Sequence, residues 1–166
     1  MSARLRTTEQ GSGLVDVDEI SVAYTPEGYW EKMPAPILAG CTTPLHPDAP
    51  DLRGTWHAVR AEVDGVPAPS DSPFIEHVER VEQAGDRVVV CSSGIVHDMR
   101  ADGTLENGVH DVNPRGMKIH VVATFEDGRL VLRPEGLPIE VIRYLEGDRM
   151  VWHYGPTVTV WMERVG

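Results

Sequence analysis

Glu76, His97 and His110 have the side-chain chemistry of an acid–base or hydrogen-bonding site. A carboxylate beside an imidazole favours its protonated form and fixes its tautomer. Two histidines and a carboxylate can also ligate a metal, but these three carry no ligand spacing, and no metal is expected. Arg80 and Arg143 carry guanidinium groups suited to a carboxylate or enolate oxygen. Ser93 supplies a hydroxyl, and Cys91 a small side chain read as a filler before a nucleophile. Trp152, Tyr154 and Trp161 offer faces on which an unsaturated ligand can stack. Each has a structural alternative. The Glu–His group can be an ion-paired network that satisfies only itself. The arginines can reach water from strand ends, and the aromatics can be core.

These residues meet only if strands bring them together. Turn signals recur at Gly85-Asp86, Asp102-Gly103, Asn113-Pro114-Arg115-Gly116, Asp127-Gly128, Glu135-Gly136, Gly147-Asp148 and Gly155-Pro156. Between them lie runs rich in Val, Ile, Thr, Trp and Tyr. The expected strands are 54–63, 74–83, 87–99, 104–112, 117–126, 129–133, 138–146, 149–154 and 157–164. Many short strands, tight turns and no convincing helix predict an all-β, antiparallel, eight- or nine-stranded up-and-down barrel, closed because open edges attract other strands.

Side chains alternate across a strand, so loop lengths decide faces. With two-residue loops at Gly85-Asp86, Asp102-Gly103 and Pro114-Arg115, the apolar face of Met117, Ile119, Val121, Ala123 and Phe125 continues to Glu76, Arg80, Cys91, Ser93, His97, His110 and Arg143. The opposite face carries Lys118, His120 and Glu126, so the apolar one points inward. Trp152, Tyr154 and Trp161 are placed inside with it. A polar group set among aromatics describes a ligand chamber.

The chain has 166 residues, one domain by length, and a formal net charge of -11. That charge disfavours nucleic acid and anionic membranes as partners. No P-loop, GxGxxG, GxSxG or HExxH motif occurs, and no cofactor is expected. Two cysteines without CxxC spacing, no apolar run of membrane length and no apolar leader predict a cytoplasmic protein with reduced thiols. A homodimer is compatible with these features.

Residues 1–50 differ from 51–166. They hold six prolines, at 26, 34, 36, 44, 47 and 50, and sustain no period. Tyr24, Tyr29, Trp30 and Met33 make this an arm that docks on apolar surface, in contrast to a disordered tail.

Gly54-Thr55-Trp56 opens the first strand, and Arg164 closes the last. A Gly-x-Trp at the head of a β-meander resembles the calycins, the lipocalins and fatty-acid-binding proteins. The resemblance implies that Trp56 sits at the closed end of the barrel with Arg164 across it. The long arm, small barrel and missing cofactor motif, with the stretch Ile95-Val96-His97-Asp98-Met99-Arg100-Ala101-Asp102-Gly103-Thr104-Leu105-Glu106-Asn107-Gly108, resemble the spirotetramate- and spirotetronate-forming [4+2] cyclases of actinobacterial polyketide pathways. That likeness implies an arm that closes over the mouth and a linear polyketide folded inside. Tyr29, Trp30 and Met33 are then lid contacts. The alternative is a lipocalin-like binder of a small hydrophobic ligand that does no chemistry.

Overall fold

The computed structural model describes residues 15–92 and 94–165. Its strands are β1 (Gly54–Val63), β2 (Val66–Pro67), β3 (Val78–Ala84), β4 (Arg87–Ser92), β5 (Ile95–Arg100), β6 (Val109–Val112), β7 (Lys118–Glu126), β8 (Arg129–Pro134), β9 (Val141–Glu146), β10 (Arg149–Tyr154) and β11 (Val158–Val165). All ladder pairs are antiparallel, in the order β5-β4-β3-β1-β11-β10-β9-β8-β7-β6, with β2 hung on β1. The sheet curls into a calycin-like barrel. β5 and β6 face each other across a seam, where the Arg100 N–H donates to Asn107 O at 2.8 Å and His97 Nε2 bonds Val112 O at 2.9 Å.

Three expected hairpins form in the expected register: Ala84 opposite Arg87, Glu126 opposite Arg129, and Glu146 opposite Arg149. Asp127 and Gly128 both take positive φ, 51° and 74°, the conformation whose twist suits a two-residue hairpin loop. Trp56 is fully buried at the closed end. Its Nε1–H donates to Leu52 O at 2.8 Å, and the Arg164 guanidinium lies 4.4 Å from its ring centroid. Both implied roles are therefore met.

The expected strand 87–99 is two strands. Ser92 pairs with Ile95 around a tight turn, and Gly94 has φ of +81°. A Cβ on Gly94 would lie 2.9 Å from Trp30 O and 3.0 Å from Tyr29 Cβ, so the arm's approach also requires glycine. This turn reverses the faces of β3 and β4 relative to β5. Arg80 and Cys91 consequently sit on the outer face, a correction to their inward assignment.

The arm accounts for that face. Val17, Leu38, Ala84, Val89, Cys91 and Val96 form a second apolar cluster between the arm and β3–β5. All six residues of β4 are buried, because one face meets the barrel interior and the other meets the arm. Arg87 and Asp98 form a buried ion pair there, Nε–Oδ1 2.9 Å and Nη2–Oδ2 2.7 Å. The arm completes it. The Arg87 guanidinium donates to the carbonyls of Val17, Ile20 and Ser21, while the Ala23 N–H donates to Asp98 Oδ2. Glu82 accepts from the N–H groups of Ile37 and Leu38, and Arg80 donates to Pro34 O at 2.6 Å. The described part of the arm thus runs as a strap along the wall formed by β3–β5.

Candidate functional site

The main core fills the barrel from Leu52 and Trp56 at the closed end. It becomes polar at Glu79, which is fully buried and lies opposite Trp56 in the β1–β3 ladder. Glu79 faces inward on β3, and Arg143 reaches it from β9. The pair is bidentate, with Nε–Oε2 2.7 Å and Nη2–Oε1 3.1 Å. His77, just before β3, places Nε2 2.7 Å from Glu79 Oε1. Burial alone pushes the Glu79 carboxyl up, but the Arg143 guanidinium and the His77 ring outweigh it and hold the pKa at about 2.

Trp152, on β10, sits against this group. Its ring stacks on His77 at 4.8 Å between centroids, and Arg143 Cζ lies 5.4 Å from the indole centroid. Phe74 and Tyr154 meet it edge-on at 6.3 Å and 6.1 Å. Phe74 and Ile75 come from the turns that link β2 to β3, and pack onto the core as a cap. The Trp152 indole N–H is buried and has no acceptor among the described residues. His77 Nδ1 reaches only the Ser92 hydroxyl, at 3.4 Å, and that hydroxyl donates to Val78 O at 3.0 Å. His97 also points inward, with burial driving its pKa down despite the Val112 carbonyl and Asp111. Chemically, this interior group sets the Trp152 indole N–H beside a carboxylate and a guanidinium that neutralise each other.

Arg143, Trp152 and His97 occupy the inward positions expected of them, and Tyr154 shares their face but is exposed at the end of β10. Glu76 does not: it is exposed in the turn before β3. His110 is on the outer wall, opposite His120, because the loop between β6 and β7 has five residues where two were expected. That one-residue register change turns the side chain over. Trp161 is also outside, opposite Val151, since three residues separate β10 from β11. It stacks under Arg60 at 4.5 Å. Arg80 and Cys91 lie under the arm as described, where burial raises the Cys91 thiol pKa. Ser93 lies outside the described residues. Trp30 and Met33 are exposed on the arm. The Tyr29 hydroxyl reaches Asn113 O at 3.4 Å, so it spans two open-end turns without entering the barrel. Glu76, His97 and His110 therefore do not form one site. Among the described residues, no group of three or more His, Cys, Asp and Glu side chains is arranged to hold a metal ion.

Sequence reasoning missed Glu79 and His77. The alternation Val78-Glu79-Arg80-Val81-Glu82 carries charge on both faces, so it gives no parity signal. A separate recess of about 270 Å³ lies on the β5–β6 seam under the arm, lined in part by Ser21, Tyr24, Arg100, Asn107 and Asp111. Its cations Arg87 and Arg100 are each paired with carboxylates, as Arg143 is in the interior; what sets the interior group apart is the Trp152 indole N–H with no acceptor among the described residues.

No helix among the described residues is long and apolar enough to cross a membrane. No protein-family model matches the chain, and no curated protein sequence does. Solved structures do. The zebrafish ileal bile acid-binding protein, in complex with cholic acid, superposes with a TM-score of 0.52 at 15% identity, over 68% of this chain and 98% of that one. Human cRBP IV gives 0.49 at 16% identity over 69% and 98%, and Caenorhabditis elegans lipid binding protein 8 gives 0.46 at 13% over 68% and 94%. The first of these supports the calycin-like fold.

Proposed function

We propose that this barrel binds a small, largely apolar molecule bearing an acceptor oxygen, seated against Trp152 beneath the 68–77 cap. The observation that carries this reading is the buried indole N–H of Trp152 with no acceptor among the described residues. Leaving such a donor unmet costs about 1–3 kcal/mol, a cost that a ligand carbonyl or carboxyl would remove. Support also comes from the zebrafish neighbour, whose structure holds cholic acid, an apolar body with oxygen substituents.

Trp152→Phe tests it, because the ring is kept and the donor is lost. A fluorescent conjugated polyenoic acid should bind the variant about tenfold more weakly, the value of one net hydrogen bond. Equal affinity in the two proteins, or no binding by the wild type, overturns the reading.

A second reading adds turnover in the same chamber: a cofactor-free [4+2] cyclisation of a linear tetramate or tetronate polyene. The unmet Trp152 donor supports it too, since a hydrogen bond to the carbonyl conjugated with the dienophile lowers the barrier. Holding both reacting ends of one chain together can contribute about 7–11 kcal/mol. The reaction moves electrons within one molecule and releases nothing, so product and substrate have equal mass. Incubating such a polyene with the protein should yield a cyclised isomer by chromatography and mass spectrometry, more slowly with Trp152→Phe. A rate equal to the protein-free background eliminates this reading and leaves the binder.

A further inference from the structure

β5 and β6 are the two ends of the sheet and share no ladder. Among the described residues, their direct links are the bond from the Arg100 N–H to Asn107 O, in the loop before β6, and that between His97 Nε2 and Val112 O. The arm supplies what a ladder would. The Thr25 hydroxyl accepts from the Val96 N–H at 3.0 Å and donates to Val96 O at 3.2 Å, so one side chain stands in for the donor and acceptor of a neighbouring strand. The Thr25 N–H turns the other way and donates to Asp111 Oδ2 of β6 at 2.9 Å. Nearby, the Ala23 N–H donates to Asp98 of β5, and the Trp30 N–H to Gly94 O just before β5. The arm is therefore stitched to both edges. Ala23 and Thr25 are half-buried against the seam, and Val22 and Tyr24 alternate with them and are exposed.

Behind the stitches lies the barrel interior. The recess of about 270 Å³ on the seam is lined by Met99 of β5 and Val109 of β6 as well as by the arm. Both residues belong to the main core. From β5 round to β6 the rest of the wall is continuous ladder, and the closed end is filled by Leu52 and Trp56.

We infer that the β5–β6 seam is the door by which a ligand reaches the interior, and that arm residues 23–25 are its latch. The inference rests on the interior binding reading proposed above. Opening the seam breaks a few isolated bonds whose groups pass to water, whereas parting two laddered strands breaks a cooperative row. A latch lies in the path of entry and exit and does not touch the seated ligand. It therefore slows both rates and leaves the equilibrium constant nearly unaltered.

The test uses the full chain and the fluorescent conjugated polyenoic acid, followed by stopped flow. Thr25→Val keeps the side-chain shape and removes the hydroxyl, which frees the β5 side. Asp111→Ala frees the β6 side. Association and dissociation should each be at least fivefold faster in either variant, with the dissociation constant within twofold of the wild type. Thr159→Val, the same change on β11, which has no part in the seam, should match the wild type. Hydrogen exchange at the Val96 amide should accelerate in Thr25→Val. Unaltered exchange there, unchanged rates in either seam variant, faster dissociation alone, or equal acceleration in Thr159→Val overturns the latch. No binding by the wild type overturns the interior reading and the latch with it. Binding at rates that ignore both seam substitutions overturns the latch alone and directs entry to the 68–77 cap.

Discussion

Glu79→Ala is expected to lower unfolding stability by about 3–5 kcal/mol, the cost of removing one partner of a buried ion pair. Glu79 is fully buried and Arg143 is 6% exposed, so the guanidinium would be left without its bidentate acceptor and without water. A double substitution, Glu79→Leu with Arg143→Met, should recover most of the loss, because it removes both charges and keeps volume. The pH profile is a further signature. The Glu79 pKa is held at about 2, below its ordinary 4.5. Its contribution is therefore fully present above pH 4.5 and is lost as pH falls from there toward 2. His97 adds an earlier loss of the same sign. Its pKa is lowered from 6.5 chiefly by burial, so the unfolded chain binds that proton more readily and stability falls as pH drops below 6.5. Urea midpoints measured against pH should show both windows in the wild type and a shallower acid one in Glu79→Ala, where Asp51, Asp102 and Glu126, also held below their ordinary values, still contribute. An unchanged midpoint at neutral pH, or an identical acid profile, would refute the central role of the pair.

Asp98→Ala should act differently, by releasing the arm. It leaves Arg87 buried at 2% exposure with only backbone carbonyls as partners, and strips the Ala23 N–H of its acceptor. Unlike Arg143, Arg87 has a way out: undocking the arm returns it to water. The loss is thus capped by the docking free energy of the strap, and the barrel remains. Hydrogen exchange reads this directly. The N–H groups of Ala23, Ile37 and Leu38 each donate to a carboxylate across the arm–barrel contact. In the variant, exchange at these amides should accelerate by at least tenfold, while amides of β9 and β10 change little. Uniform acceleration across the barrel would mean that arm and barrel unfold as one unit. Unaltered arm protection would mean that the ion pair does not hold the strap.

How far the sequence reached can be traced loop by loop. It determined the strand-and-turn character and the hairpins at Gly85-Asp86, Asp127-Gly128 and Gly147-Asp148, while the calycin resemblance supplied the pairing of Trp56 with Arg164. The expected hairpin at Asp102-Gly103 is instead part of an eight-residue connection between β5 and β6, which share no ladder. The sequence also placed Arg143 inward despite an error. The expected four-residue loop after Arg133 is longer in the structure, where Leu132 faces Val141, but a register shift of two residues preserves the face. Shifts of one do not, and the loops before Met117 and after Tyr154 each carried one, which turned out His110 and Trp161. The turn at Ser92–Ile95 was hidden inside an apolar run and reversed Arg80 and Cys91. One available signal for the arm's position was the unbroken Val88-Val89-Val90, the mark of a strand buried on both faces. The Glu79–His77–Arg143–Trp152 group was beyond sequence reasoning for a different reason. Glu79 and Arg143 are 64 positions apart and lie on strands that share no ladder. Only closure of the barrel brings them together. Local propensity sets turns and strands, whereas loop lengths and curvature of the whole sheet decide which charged side chains share the interior.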